Sequence, residues 1–246
     1  MAKDSKNRRL IFIITKTFPE DLNYKWFSEL PFINSLINAG LWAQLNFSDT
    51  EEIEKKLQYL ASGTALIENR ITPFWEFLED SGKMVSFYGP SPSKTVQFPD
   101  RGKDADLLQK GDEWQLLIIN SLTEQSDSVK NVPPTDMDYW RKWDREIEDL
   151  IQSTENQPSI IILAMSSTPH LKSWVLAGGP TFASLGNPGP IDIFNLPPTI
   201  LWLLDVDPPP EMVGHIMDEI LDTEDDLSQE EMDLLTDHLR GLGYLG

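Results

Sequence analysis

His170 opens the stretch of this sequence whose residue types are best suited to chemistry. It precedes an apolar segment that predicts a short strand, and a loop rich in Gly and Pro then leads to a helix beginning at Pro197-Pro198-Thr199. An imidazole beside such a loop is typical of a metal or phosphate site. The glycines of Ala177–Pro180 could present backbone N–H groups to an anion, but a tight turn is the simpler prediction.

Other catalytic arrangements find little support in the sequence. The chain has no Cys, which removes disulfides, thiolate metal ligands and thiol nucleophiles. It has neither a P-loop nor a dinucleotide-binding glycine motif. Ser167, His170 and Asp192 could form a triad on paper, but no Ser lies in a nucleophile-elbow motif.

The charge of the chain limits its partners. A formal net charge of -20 argues against nucleic acid, because binding phosphates electrostatically needs clustered Lys and Arg. From Asp205 to Asp237 there are thirteen acidic residues and no Lys or Arg. This stretch is either a solvated face that aids solubility or a docking surface for a basic protein partner.

Alternating strand and helix signals predict an α/β fold, a mostly parallel sheet flanked by helices. The apolar runs that predict strands are 10–14, 84–88, 115–119 and 160–163. One helix is predicted to have Thr72 as its N-cap, Pro73 in its first turn and an end near Ser81–Gly82. Thr135 and Ser228 are predicted to start two more, which carry apolar stripes at helical spacing: Trp140, Trp143, Ile147 and Leu150, and Met232, Leu235, Leu239 and Leu242.

Several segments resemble, in the same order, parts of the alkaline phosphatase superfamily, specifically its type I phosphodiesterase, nucleotide pyrophosphatase and sulfatase-like members. His170–Asp207 is similar to the closing segment of that family, with a histidine, a strand ending in Gly-Pro and an Asp-Ile-Ala-Pro-Thr-Ile-Leu type of helix. The other similar segments are Arg9–Ile14, Leu30–Leu45, Phe74–Val85, Thr199–Leu204 and Leu239–Leu245. The resemblance implies a shortened alkaline-phosphatase-like α/β domain.

The resemblance also implies two divalent ions, and this chain departs from the expected ligands. Where an Asp is expected after the first strand, this chain has Thr15-Lys16. The ammonium group of Lys16 would therefore lie where a divalent ion is bound in the family. In the expected Asp-x-x-x-His, Glu124 and Asp127 are the available acids, and Ser128 replaces the histidine. Ala164-Met165-Ser166-Ser167 replaces the Asp-His pair. Only His170 matches a ligand position, and a retained imidazole that makes a hydrogen bond is the preferred interpretation.

The nucleophile segment of that family is missing as such. Ser48, Thr50, Ser62 and Thr64 are candidate replacements, although each is better explained as a helix cap or a turn residue. The two remaining histidines, His215 and His238, do not fall at ligand positions of the family.

These departures predict a catalytically degenerate member with no cofactor, serving as a binding or structural subunit of a larger complex. Two alternatives stay open: a hydrolase of phosphodiesters or sulfates with a divalent metal such as zinc on His170, Glu124 and Asp127, and a sensor of small anions or nucleotides using Lys16 and His170. We expect one domain over 1–246, with a surface excursion at 89–112 and an acidic helical region at 205–246. The apolar run after the basic N-terminal residues is too short for a signal core or a membrane span, which predicts a cytoplasmic protein.

Overall fold

The computed structural model describes residues 8–16, 27–46, 53–64, 72–89, 91, 96, 114–121, 137–154, 157–166 and 172–222. The strands are β1 (Leu10–Lys16), β2 (Leu41–Asn46), β3 (Val85–Tyr88), β4 (Leu116–Asn120), β5 (Ser159–Met165), β6 (Trp174–Gly178) and β7 (Ile191–Asp192). The α-helices are α1 (Pro31–Ala39), α2 (Ile53–Ser62), α3 (Phe74–Asp80), α4 (Met137–Gln152) and α5 (Leu196–Leu203). Two 3-10 helices span Ile193–Asn195 and Asp218–Ile220.

The seven strands form one sheet in the order β3-β4-β1-β5-β6-β2-β7. Strand β6 is antiparallel to both of its neighbours, β5 and β2, and the other pairs are parallel. The predicted α/β fold with a mostly parallel sheet is therefore confirmed. The four predicted strands are present as β1, β3, β4 and β5, with ends that differ by one or two residues.

Strand β1 lies at the centre of the sheet, which explains its uninterrupted apolar run. It pairs with β4 on one side and β5 on the other, and helices cover both faces, so both sets of alternating side chains are buried. Leu10, Phe12 and Ile14 face α2, α3 and α5 in one core. Ile11 and Ile13 face α1 and α4 in a second core.

The predicted stripe of α4 packs in the second core, where Trp140, Trp143 and Ile147 are buried and Leu150 is partly buried. The predicted cap of α3 is wrong: Pro73 is the N-cap, in an extended conformation without a side-chain cap bond, and Thr72 precedes it, exposed. The predicted end of α3 is confirmed. Gly82 has a φ of 76°, and the Lys83 N–H donates to the Leu78 carbonyl, as in a glycine-terminated helix.

The turn predicted for Ala177–Pro180 begins only at Gly179, whose carbonyl accepts the Phe182 N–H at 3.1 Å. Ala177 and Gly178 complete β6, and Gly179 has a φ of 109°. A side chain at Gly179 would meet the Ser159 backbone at 2.8 Å, so both the backbone angle and the close approach favour glycine. Most of the 89–112 excursion, the predicted helix after Ser228 and most of the acidic 205–246 region lie outside the described residues; within 205–222 the helical element is the 3-10 helix Asp218–Ile220.

Candidate functional site

The carboxyl ends of three adjacent parallel strands meet at one edge of the sheet. Strand β1 ends at Lys16, β4 ends at Asn120, and β5 ends at Met165, which is followed by Ser166. Ligands of open α/β sheets bind in the crevice outside these carboxyl ends. This edge is therefore where a site is expected, and we call it the carboxyl edge.

Lys16 is the last residue of β1 and is partly buried. In the β1–β5 register it lies opposite Met165, and Ile14 lies opposite Asn120 of β4. Side chains alternate along a strand, so Lys16 shares its face with Ile14 and Phe12, the face covered by α2 and α5. The sequence prediction of an ammonium at the end of the first strand thus falls at the carboxyl edge.

Lys56 brings a second ammonium to this edge, and sequence reasoning missed it. Only 2% of the residue is exposed, and its Nζ donates to the carbonyl oxygen of Ser166 at 3.3 Å. The sequence did contain a signal for this burial. Ile53, Leu57 and Leu60 define the apolar face of α2, and Lys56, three positions after Ile53, lies on the same face. A lysine at a core-facing helical position is unusual, because lysine is rarely buried.

Both backbone polar groups of Ser166, the N–H and the carbonyl, are hydrogen-bonded. Its N–H donates to Ser173 Oγ at 2.8 Å, while its carbonyl accepts from Lys56. Ser166 and Ser173 are both buried, at 1% and 4% exposed. These bonds tie the end of β5 to the start of β6 and to α2, so Ala164–Ser166, the described part of the segment that replaces the expected Asp-His pair, is held in the fold.

Hydroxyl groups near the end of α2 have structural roles. Ser62 Oγ donates to the Gln58 carbonyl at 2.8 Å and accepts from the Thr64 N–H at 3.2 Å. This arrangement closes the helix and forms a turn, as predicted for both residues. The other candidate nucleophiles, Ser48 and Thr50, lie outside the described residues, as does Ser167.

The remaining predicted site residues are not brought together within the described part of the chain. Glu124, Asp127 and His170 lie outside it, and so does His238. Among the residues that the structure describes, no group of three or more His, Asp or Glu side chains could hold a metal ion.

Asp192 and His215 have other roles. The Asp192 carboxylate accepts the Phe194 N–H at 3.0 Å and caps the 3-10 helix Ile193–Asn195. The His215 backbone N–H donates to Asn195 Oδ1 at 3.0 Å, and His215 Nε2 lies 3.3 Å from Asn195 Nδ2.

Buried polar groups attach the segment after α5 to the start of that helix. Thr199 Oγ1 donates to the Asn195 carbonyl at 2.6 Å and accepts from the Met217 N–H at 3.1 Å. Thr199 is 1% exposed, so its bonds are shielded from water. The helix with the Pro-Pro-Thr start, which carries part of the family resemblance, is thereby a packing element.

A buried carboxylate lies on the opposite face of the sheet. Asp144 of α4 is 1% exposed, and its two oxygens accept the backbone N–H groups of Phe32 at 3.1 Å and Ile33 at 2.9 Å. Burial raises the pKa of the Asp144 carboxyl, against the effect of the two N–H donors, and the charge of Glu148 raises it further. The side chain caps the first turn of α1 from another helix.

The arrangement of the sheet and helices defines an alkaline-phosphatase-like α/β fold. Among solved structures, the chain is similar to human ectonucleotide pyrophosphatase/phosphodiesterase 5, with 10% identity, a TM-score of 0.65, and coverage of 88% of this chain and 100% of that chain. The murine protein of the same name, in an inactive variant in complex with AMP, matches with 10% identity and a TM-score of 0.63 over 87% of this chain and 100% of that chain. The predicted resemblance is thus confirmed as a shared fold.

No protein-family model and no curated protein sequence matches the chain. In the part of the chain that the structure describes, no helix is long and apolar enough to span a membrane.

Proposed function

We propose that this protein is a non-catalytic binding or structural subunit built on the scaffold of a phosphodiesterase. The observation that supports the proposal is the pair of lysines at the carboxyl edge, Lys16 at the end of β1 and buried Lys56 against Ser166. Divalent ions are held by carboxylate, carbonyl and imidazole ligands. Two ammonium groups repel a dication, and the repulsion is strong where water is excluded.

A metal-dependent hydrolase of phosphodiesters or sulfates is the competing function. It would have to place zinc on His170, Glu124 and Asp127, the acids and imidazole that the family resemblance supplies. Such a site would need the metal both to bind the substrate and to activate the nucleophile. The proposal and this alternative therefore differ first in metal content.

Elemental analysis of the purified protein tests this difference. We expect no stoichiometric zinc or manganese after incubation with either ion, and no hydrolysis of nitrophenyl phosphodiesters or sulfates in their presence. His170→Ala removes the candidate ligand, and His215→Ala, at an exposed position beside Asn195, is the matched control. Two equivalents of metal per chain that are lost in His170→Ala and kept in His215→Ala would overturn the proposal.

We further propose that the acidic stretch beginning at Asp205 binds a basic protein partner, and that the complex is cytoplasmic. Asp218, Glu219 and Asp222 are exposed in the described part of that stretch, while Ile220 and Leu221 beside them are buried in the core. Their carboxylates are therefore presented from a packed segment, and a fixed array of one sign speeds association with a basic surface.

Charge reversal tests the acidic surface. Asp218→Lys with Glu219→Lys is compared with Glu146→Lys and Asp149→Lys, which change the same charge at exposed positions of α4, a helix of the opposite core. The partner is whatever co-purifies stoichiometrically from the native source. We expect the first pair to weaken its association in a salt-dependent way and the second pair to leave it unchanged. Equal association of both variants with the partner would contradict the docking role.

A further inference from the structure

We infer that Trp202 anchors the partner at the acidic docking surface, and that the partner segment it receives carries arginine in preference to lysine. The inference rests on the proposed docking role of the stretch beginning at Asp205. It adds the residue that holds the partner and the chemistry of the contact. Trp202 lies in α5, three residues before that stretch begins.

Helix α5 is buried except at Trp202. Every other residue from Leu196 to Leu203 is buried, whereas 38% of Trp202 is exposed. An indole ring at the surface of a packed helix leaves apolar area in contact with water, and covering that area is favourable. Tryptophan is also one of the residue types enriched among those that dominate binding at protein interfaces. The helix therefore presents a large aromatic side chain from a rigid position.

The ring of Trp202 also differs from the other described tryptophan rings. Each of those rings contacts an aromatic ring or an arginine: Trp42, Trp75, Trp114, Trp140, Trp143 and Trp174. Trp114 has the guanidinium carbon of Arg9 at 5.3 Å from its ring centroid, which is a cation–π contact. Among the described tryptophans, Trp202 is the one whose ring has no such neighbour.

The chain after Trp202 turns back along α5. The Asp205 N–H donates to the Trp202 carbonyl at 3.0 Å, and Asp205 has a φ of 63°, so the chain reverses there. Farther on, the Val213 N–H donates to the Gly63 carbonyl at 3.0 Å. Gly63 is next to the start of α5, because a Cβ atom at Gly63 would lie 3.4 Å from the Pro197 side chain. The loop between these points therefore runs beside the helix that carries Trp202.

This loop supplies negative charge around the tryptophan. Asp207 and Glu211 are exposed on it, and the stretch from Asp205 to Asp222 contains no Lys or Arg. A partner that covers Trp202 with an interface of ordinary size, about 800 Å² on each side, also reaches these carboxylates. Arg8 donates to the Leu203 carbonyl at 3.5 Å, so an arginine of this chain already lies at the end of α5.

Arginine fits an aromatic ring surrounded by carboxylates better than lysine does. Its planar guanidinium stacks on an indole ring and can bind a carboxylate through two parallel N–H groups, whereas an ammonium is a strongly hydrated point charge. Arg9 over Trp114 shows the same pairing within this protein. The occupant that the charge and the ring favour is therefore a segment of a protein partner with exposed arginine side chains.

Binding of two synthetic peptides to the full chain tests the inference. The peptides have the same length and charge, one with alternating Gly and Arg and the other with alternating Gly and Lys, and calorimetry measures both. We expect the unmodified protein to bind the arginine peptide about threefold more tightly than the lysine peptide. Trp202→Leu should remove most of this preference, and Trp202→Phe, which keeps a smaller aromatic ring, should retain part of it.

Tyr88→Leu is the matched control, because Tyr88 is also an exposed aromatic residue, at the end of β3. It should keep the full preference for arginine. Asp207→Asn with Glu211→Gln should weaken the binding of both peptides, more so at low salt than at moderate salt. Circular dichroism checks that each variant is folded. If Trp202→Leu is not, Trp202→Phe carries the test, because its smaller ring should lower the preference below that of Tyr88→Leu.

Three results would overturn the inference: neither peptide binds, the unmodified protein binds both equally, or the folded Trp202 variants keep the same preference as Tyr88→Leu. The proposed docking role fails in a different way. If Asp218→Lys with Glu219→Lys leaves the co-purified partner bound while the peptides are still distinguished through Trp202, the docking role is wrong and the arginine preference stands. If that charge reversal weakens the partner but the peptides bind equally, the docking role stands alone.

Discussion

Asp144 and Lys56 are buried charged side chains of opposite sign, on opposite faces of one sheet. They are 1% and 2% exposed, so each has lost nearly all of its contact with water. Burying a charge costs free energy unless hydrogen bonds and nearby charges or dipoles compensate. The comparison of what surrounds them shows how the fold accommodates a buried charge of each sign.

The surroundings of Asp144 account for its charge. Both oxygens accept N–H groups from the first turn of α1, where the helix has unpaired donors and a partial positive charge. These bonds join α4 to α1 within the core on that face of the sheet. A carboxylate with these contacts needs no ligand to explain its position.

Lys56 lies in a different place. Its Nζ donates to the carbonyl of Ser166, just after the carboxyl end of β5, and the β1 strand beside β5 ends in a second lysine. Removing a buried ammonium also removes the free-energy cost of burying it, so we expect a substitution of Lys56 to cost less stability than a substitution of Asp144.

The largest expected effect is the loss of stability in Asp144→Ala. The substitution leaves the N–H groups of Phe32 and Ile33 without their acceptor in a buried region. We expect the free energy of unfolding, measured by urea denaturation at pH 7, to fall by about 2 to 3 kcal/mol. Asp149→Ala, at an exposed position of the same helix, is the control and should change little. A loss below that of the control would mean that Asp144 does not hold α1.

A pH titration of stability sharpens the interpretation of Asp144. Burial raises the pKa of its carboxyl in the folded state, so the folded protein takes up this proton at a higher pH than the unfolded chain does. As the pH falls from 7 through the folded pKa, the contribution of Asp144 to the free energy of unfolding rises, and it becomes constant below the unfolded pKa. Asp144→Asn cannot titrate.

The difference in the free energy of unfolding, unmodified protein minus Asp144→Asn, should therefore increase as the pH is lowered. Urea denaturation between pH 7 and acidic pH measures it. A difference that is independent of pH, or one that decreases, would show that the carboxyl is not held with a raised pKa.

The Thr199 hydroxyl is a neutral buried group, and the stability lost on its removal provides a reference for the effects of the two buried charges. Thr199→Val keeps the shape of the side chain but removes the hydroxyl that bonds the Asn195 carbonyl and the Met217 N–H. We expect a loss of about 1 kcal/mol in the free energy of unfolding. Thr154→Val, at a partly buried position at the end of α4, is the control and should cost less. A loss in Thr199→Val as large as that in Asp144→Ala would remove the distinction between a neutral and a charged anchor.

The elements of the fold were largely predictable, whereas the partner of the buried Asp144 carboxylate was not. Uninterrupted apolar runs identify β1 and β5 because both faces of these strands are covered, and the Trp and Ile spacing of α4 identifies the side of that helix that is buried. Asp144 contacts α1 more than a hundred residues earlier in the chain, and nothing local to its own helix specifies that partner. Tertiary contacts of this kind carry no short-range sequence signal.

The candidate site was predictable only in part, for a related reason. Lys16 comes directly after an uninterrupted apolar run and ends β1, so its place at the carboxyl edge could be predicted from the sequence. The spacing of α2 places Lys56 on the apolar face of the helix, but a lysine is ordinarily assigned to the solvent-exposed face. The prediction of Thr72 as the N-cap of α3 was wrong for a local reason. Pro73 has an extended conformation, and the helix begins only after it.

The smallest expected change in stability is that of Lys56→Met, and it is the prediction that most directly tests the comparison. Methionine has a similar length and no charge, so the substitution removes the cost of burying an ammonium while the Ser166 carbonyl loses a donor. These effects oppose each other. We expect the free energy of unfolding to change by no more than about 1 kcal/mol in either direction. Urea denaturation measures it beside Lys83→Met, which replaces a partly buried lysine just before β3. A loss as large as that in Asp144→Ala would mean that Lys56, like Asp144, is an anchor of the fold, and the two buried charges would then be equivalent.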